Sequence, residues 1–197
     1  MSDVDAAAAD AHLAEVTVAS ERVFDGTFLH VNCDTVRLPN GEETGREYIL
    51  HPGAVMLIPI LPNGDVVMER QWRHPLGRVF IEFPAGKIDP GEPPLETCVR
   101  ELREETGYVA ERYTFLTTIN NAISYSNEHI DLYLAEGLTP GEAKLDHNEF
   151  LEVIAVKPAQ ILEWVRDGAI TDVKTVIGAF WLEKLQSGAW LPDRVGR

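Results

Sequence analysis

Gly86–Tyr108 reads GKIDPGEPPLETCVRELREETGY. Pro93 and Pro94 suit a first helical turn and Gly107 suits the position just past a helix end, so this stretch predicts a helix. Leu95, Cys98, Val99 and Leu102 recur at helical spacing and predict one apolar face. Glu101 and Glu105 stand four apart and lie side by side on a helix, with Glu104 bordering the same patch. Carboxylates crowded in this way cost stability unless a positive charge sits among them. Arg100 and Arg103 offset part of that repulsion from the flanks. A divalent cation would offset it better, and hard oxygen ligands suit Mg²⁺ or Mn²⁺. Pro84-Ala85-Gly86, just ahead, offers a backbone carbonyl to such an ion. Taken alone, Arg100–Glu105 fits a solvated helix face of ordinary glutamates better than a metal site.

On the N-terminal side the chain reads as short β runs punctuated by turns. Glu15–Ser20 alternates weakly, and Phe28–Leu38 runs into a Pro39-Asn40-Gly41 turn. Ala54–Leu61 is a buried-strand candidate followed by the hairpin signal Pro62-Asn63-Gly64-Asp65, with Val66–Glu69 as its return. Val79–Phe83 is a further β run. Beyond the helix come β runs at Tyr113–Ile119, His129–Ala135 and Glu152–Val156, then two helices over Pro158–Asp167 and Asp172–Gln186. Strands with few helices predict an α+β fold with a mixed sheet, as in an α/β/α sandwich. Residues 1–12 read as a tail, 13–50 as an N-terminal β extension, 51–187 as the main domain and 188–197 as a second tail.

The chain has 197 residues, 45% of them hydrophobic, which fits one ordinary globular domain with an appended element. Its 17 basic against 32 acidic residues give a net charge of −15. A nucleic-acid binder needs a basic face to neutralise phosphates, so that class is disfavoured. Two cysteines, Cys33 and Cys98, are too few for a disulfide scaffold and point to the cytoplasm. The alanine-rich start lacks the features of a secretory signal, and the longest apolar run, Ala54–Leu61, is too short to span a membrane.

The segment Gly86–Tyr108 resembles the Nudix hydrolase box: G, five residues, E, seven residues, then R-E-U-x-E-E-x-G-U with U bulky and apolar. Gly86, Glu92, Arg100, Glu101, Leu102, Glu104, Glu105 and Gly107 fall in register, and Tyr108 stands where the last U is usually aliphatic. The resemblance implies an α/β/α sandwich that hydrolyses a nucleoside diphosphate linked to another group. It gives Glu101 and Glu105 the role of principal metal ligands, with Glu104 and the Ala85 carbonyl completing the shell around Mg²⁺ or Mn²⁺. It gives Glu92 and Arg100 a structural pairing that holds the loop.

The flanks are similar to the ADP-ribose pyrophosphatase branch. They include His51–Val55, Glu69–Arg73, Glu82–Lys87, Tyr125–Glu128, Leu145–Glu152 and Gly168–Ile177 with Thr171-Asp172-Val173-Lys174-Thr175. The resemblance implies a homodimer that exchanges N-terminal strands and shares an adenine-ribose site. Arg46 and Glu47 would lie at that site, with Phe24 or Phe28 stacking on the base. Arg73 would meet the diphosphate as a bidentate donor, Glu128 would meet the terminal ribose or a metal, and Glu149 would be catalytic base or extra ligand. Ala122-Ile123-Ser124-Tyr125 lacks the proline many members of the branch carry there. That keeps a second substrate in view, another nucleoside diphosphate sugar such as GDP-mannose. A sensor that binds ADP-ribose without cleaving it is disfavoured by the intact Glu101, Glu104 and Glu105.

Overall fold

The computed structural model describes residues 10–145 and 150–191. The chain divides into two compact units. The first takes in the chain through His51 together with Ala122–Glu128; the second is Pro52–Asn121 and the chain from His129 onward.

The first unit is an antiparallel sheet of β1 (Val16–Asp25), β2 (His30–Arg37) and β3 (Glu43–Leu50), in that order. Thr44 pairs with Val36 and Leu50 with His30, so Pro39-Asn40-Gly41 closes a hairpin as its turn residues predict. Strand β1 is longer than the weak alternation of Glu15–Ser20 suggested, and all ten of its residues are exposed. Its pairing with β2 carries two register irregularities, between Thr17 and Ala19 and between Arg22 and Phe24, which break the alternation that a sequence pattern would show. Ala122–Glu128 joins this unit through Ile49, whose amide donates to the Tyr125 carbonyl (2.8 Å).

The second unit is built on β4 (Ala54–Pro59), β5 (Val66–Arg73), β6 (Arg78–Glu82), β7 (Ala85–Lys87), β8 (Tyr108–Val109), β9 (Arg112–Asn120), β10 (His129–Glu136), β11 (Thr139–Pro140) and β12 (Leu151–Val156). Its helices are α1 (Pro94–Thr106), α2 (Pro158–Arg166) and α3 (Val173–Gln186). One sheet runs β7-β4-β10-β9, with β4 and β10 parallel and the other pairs antiparallel; a second runs β12-β5-β6. Alternate residues of β4 feed two cores. Val55 and Leu57 pack with Cys98 and Leu102 of α1, while Met56 and Ile58 pack with Ile161 of α2 and Ala179 and Leu182 of α3. The mixed sheet therefore lies between helical layers, the α/β/α sandwich expected from sequence. Helix α3 approaches closely because Gly178 has no side chain: a Cβ there would lie 2.7 Å from Met56 and 2.8 Å from Phe83.

One expectation is corrected. Cys98 and Leu102 are fully buried, but Leu95 and Val99 are 48% and 42% exposed. The buried face of α1 is instead Thr97, Cys98, Leu102, Glu105 and Thr106, rotated toward the glutamates. Hydrophobic spacing could not reveal this, because two threonines and a glutamate hold buried positions. Just past α3, the Trp190 ring sits 4.3 Å from that of Trp181 on α3.

Candidate active site

Gly107 caps α1 in a left-handed conformation (φ 73°), its amide donating to the Arg103 carbonyl. The helix thus starts at its prolines and stops at its glycine, which fixes the rotation of every glutamate between them.

Arg100 is the positive centre of this helix face. Its Nε and Nη2 donate to Glu92 at 3.0 and 2.8 Å, and its Nη1 donates to Glu101 at 2.7 Å and to Glu104 at 3.2 Å. Nη2 also reaches the Lys87 carbonyl (3.3 Å), tying the loop to the helix. The Arg100 hydrogen bonds, helped by Thr97, hold the Glu92 carboxyl down at about 2 against burial, and the same bonds push the Arg100 guanidinium up. Glu105 is buried at 5% exposure and accepts from the Ala85 amide at 3.2 Å. Gly86 makes room for Glu101: a Cβ at residue 86 would fall 1.9 Å from the Glu101 carboxyl carbon.

Glu101, Glu104, Glu105 and Ala85 are thus brought to one edge of α1. The donor set is all oxygen, and two of its carboxylates, Glu101 and Glu104, already meet a cation, the Arg100 guanidinium, so it suits a hard divalent metal. Among the described residues no three His, Cys, Asp or Glu side chains are closed up around a single point. Beside this edge opens a cavity of about 560 Å³, lined by Leu95, Val99, Arg103 and Lys144 as well as Glu92, Arg100 and Glu104. That cavity is the surface on which Leu95 and Val99 stay exposed.

The loop after β11 returns to the end of α1. The Gly141 amide donates to the Gly107 carbonyl (2.6 Å), and the Lys144 amide to the Glu104 carbonyl (3.0 Å). Glu149 lies outside the described residues.

A second charged group lies deeper. Glu82 on β6 is 3% exposed. It accepts from Arg73 Nε (2.7 Å) and Nη2 (2.9 Å) and from the Lys174 ammonium. Lys174 also donates to Asp172 at 2.8 Å. Asp172 caps α3, accepting from the Thr175 amide (3.0 Å) and hydroxyl (2.6 Å). Burial pushes the Glu82 and Asp172 carboxyls up, but their cationic partners outweigh it and hold both below the usual range. Arg73 is held above its usual value chiefly by Glu82, with Glu105 among the charges that reach it. The family resemblance assigns Arg73 to the diphosphate and gives no role to Glu82, Asp172 or Lys174.

In the N-terminal unit, Phe28 meets His51 edge to face at 6.4 Å, and His51 Nδ1 lies 3.9 Å from Glu128. These candidates are therefore gathered at one place. Arg46 pairs with Glu15 (3.0 and 2.5 Å), and Glu47 is exposed on β3 opposite Cys33. Phe24, the other stacking candidate, is 56% exposed and Phe28 63%.

The chain matches the NUDIX domain over residues 50–175 and the nucleoside diphosphate sugar hydrolase N-terminal domain over residues 15–49. It belongs to the Nudix hydrolase family and is a hydrolase acting on a pyrophosphate bond. It is 38% identical to the ADP-ribose pyrophosphatase of Bacillus subtilis (strain 168), over 87% of this chain and 94% of that protein. It is 39% identical to the methanol dehydrogenase activator of Bacillus methanolicus, over 86% and 92%. Among solved structures it is similar to an ADP compounds hydrolase, with a TM-score of 0.80 and 25% identity over 90% of this chain and 97% of the other.

Proposed function

We propose that this chain hydrolyses the diphosphate of ADP-ribose, water adding to one phosphorus and the bridging P–O bond breaking to give AMP and ribose 5-phosphate. The observation that carries the proposal is the gathering of Glu101, Glu104 and Glu105 beside Ala85 on a helix locked by the Glu92–Arg100 pair. Those four residues would hold Mg²⁺, or Mn²⁺ in its place. When bound, such an ion neutralises diphosphate charge and lowers the pKa of the attacking water. Arg73 supplies a fixed guanidinium for the phosphates, and Glu149 takes the proton from the water as general base or serves as a further ligand.

We assign the nucleoside to Arg46, Glu47 and Phe28, and the terminal ribose to Glu128. We also propose a homodimer that exchanges N-terminal strands and acts in the cytoplasm. Support comes from the match of residues 15–49 to a nucleoside diphosphate sugar hydrolase segment. The apolar exposure along β1, with Val16, Val18, Val23 and Phe24 each 46–60% exposed, supports the covering second copy. Cys33 and Cys98 are both free thiols, as a reducing compartment favours. The test is AMP or phosphate release with Mg²⁺ from ADP-ribose, GDP-mannose, UDP-glucose, NADH and diadenosine polyphosphates. Preference for ADP-ribose supports the proposal, and preference for another member of the panel overturns the substrate.

A further inference from the structure

We propose that Lys174 is a positioning residue for the diphosphate: by clamping Glu82 it fixes the guanidinium of Arg73 in the orientation that receives the phosphates. The inference rests on the assignment of Arg73 to the diphosphate, and deepens it.

The clamp is a chain of contacts running from a helix cap to the surface. The Thr175 amide and hydroxyl hold Asp172, Asp172 holds Lys174, Lys174 holds Glu82, and Glu82 holds Arg73. Exposure is greatest at the last member: the side chains of Glu82, Lys174 and Asp172 are 4%, 11% and 21% exposed, that of Arg73 41%. A guanidinium has five N–H groups. Arg73 gives one from Nε and one from Nη2 to Glu82. Its three others, two of them on Nη1, remain for an anion, and an end-on pair of N–H groups suits phosphate oxygens.

Without Lys174 the grip on Glu82 weakens for an electrostatic reason. Glu82 is 3% exposed. Burial makes its charge costly, and Lys174 is the second cation, beside Arg73, that lets Glu82 stay charged there. The segment from Glu82 to Ala85 is also pinned at the next two anchor points. The Phe83 amide donates to the Thr175 hydroxyl at 3.4 Å and the Ala85 amide to Glu105 at 3.2 Å. One short stretch of backbone therefore carries both the partner of Arg73 and the carbonyl offered to a metal, and the start of α3 sets its position.

Inorganic pyrophosphate carries the diphosphate without a nucleoside, so its binding tests the clamp whichever sugar nucleotide the enzyme turns over. Calorimetric binding of pyrophosphate in Mg²⁺ would be compared for the full chain, Arg73→Gln, Lys174→Met and the double variant. Losing one charged hydrogen-bonding group predicts binding about tenfold weaker for Arg73→Gln. Lys174→Met should weaken it about fivefold, and the double variant should bind no more weakly than Arg73→Gln alone, because Lys174 acts only through Arg73. A merely structural lysine would give losses that multiply. If Lys174→Met does not fold, Asp172→Asn keeps the helix cap, loosens Lys174 and should show the same non-additivity at about twofold. The inference is overturned if either clamp variant binds as the wild type does, if the losses multiply, or if the wild type does not bind pyrophosphate. A wild type that hydrolyses GDP-mannose rather than ADP-ribose, yet shows the non-additive cycle, would move the substrate and keep the clamp.

Discussion

Two groups of charged side chains sit in the Nudix unit and are built on opposite plans. On α1 and the loop before it, three carboxylates (Glu92, Glu101 and Glu104) share one guanidinium, Arg100, with Glu105 on the same helix, and all but Glu105 keep some contact with solvent. At the start of α3, two carboxylates (Glu82 and Asp172) meet two cations (Arg73 and Lys174), and only Arg73 is substantially exposed. Burial forces the second group to balance, because an uncompensated charge away from water costs several kcal/mol. The first group tolerates an excess of negative charge, which is the condition for attracting a divalent cation rather than for holding a fold together.

The largest effect should follow from removing charge where it is in excess. Glu105→Gln should lower kcat by about a hundredfold or more while the circular dichroism spectrum is unchanged. A variant with near wild-type turnover would remove Glu105 from the metal site. Gly86→Ala sharpens the point. Its Cβ would displace the flexible end of Glu101, so a loss of roughly tenfold or more in activity should accompany a stability cost of only about 1 kcal/mol, at the low end of overpacking. If stability falls as far as activity does, Gly86 serves the backbone and not the glutamate.

Stability should respond in the reverse sense. Lys174→Met breaks the balanced group and should cost about 3 kcal/mol in denaturant unfolding. Glu104→Gln relieves the unbalanced one and should change metal-free stability by no more than about 0.5 kcal/mol. Equal costs would mean that the two groups do not differ as described. The smallest effect is on pH dependence. Glu92, Glu82 and Asp172 have folded pKa values below their ordinary 4.5, 4.5 and 3.8. Their stabilisation is present in full above those ordinary values and is lost as pH falls toward the folded ones, about 2 for Glu92. Melting temperature should therefore drop progressively below about pH 4.5, less steeply in Lys174→Met, where Glu82 has lost one of its two cations.

The contrast also explains what the sequence made legible. The carboxylates of α1 follow one helix with a proline start and a glycine stop, so local spacing alone set them side by side. Sequence likewise marked β4 and the hairpin turn after it, because apolar runs and Asn-Gly signals are local. The clamp is not local. Arg73, Glu82 and Lys174 come from three elements as many as 101 residues apart, and a lysine shows no sign in sequence that it is buried. The flanks Glu69–Arg73, Glu82–Lys87 and Thr171–Thr175 carry the clamp's residues, but as separate stretches that give no sign of the ion pairs joining them. The exposure of Leu95 and Val99 was hidden for a related reason: the cavity beside them is shaped by the segment bearing Lys144, far along the chain. Only the first part of strand β1 shows in the sequence, as the weak alternation of Glu15–Ser20, because its exposed residues and broken register leave no alternation to read beyond it.

The most direct test of the central claim is thermal melting with and without millimolar Mg²⁺, for the wild type beside Glu101→Gln and Glu105→Gln. Ligand bound at a hundred times its Kd adds about 2.7 kcal/mol, which at this chain length is a shift of several degrees. That upward shift is expected in the wild type and is lost in both variants. A wild type unmoved by Mg²⁺, or variants that shift as far as it does, would contradict the assignment of the α1 carboxylates to a metal site.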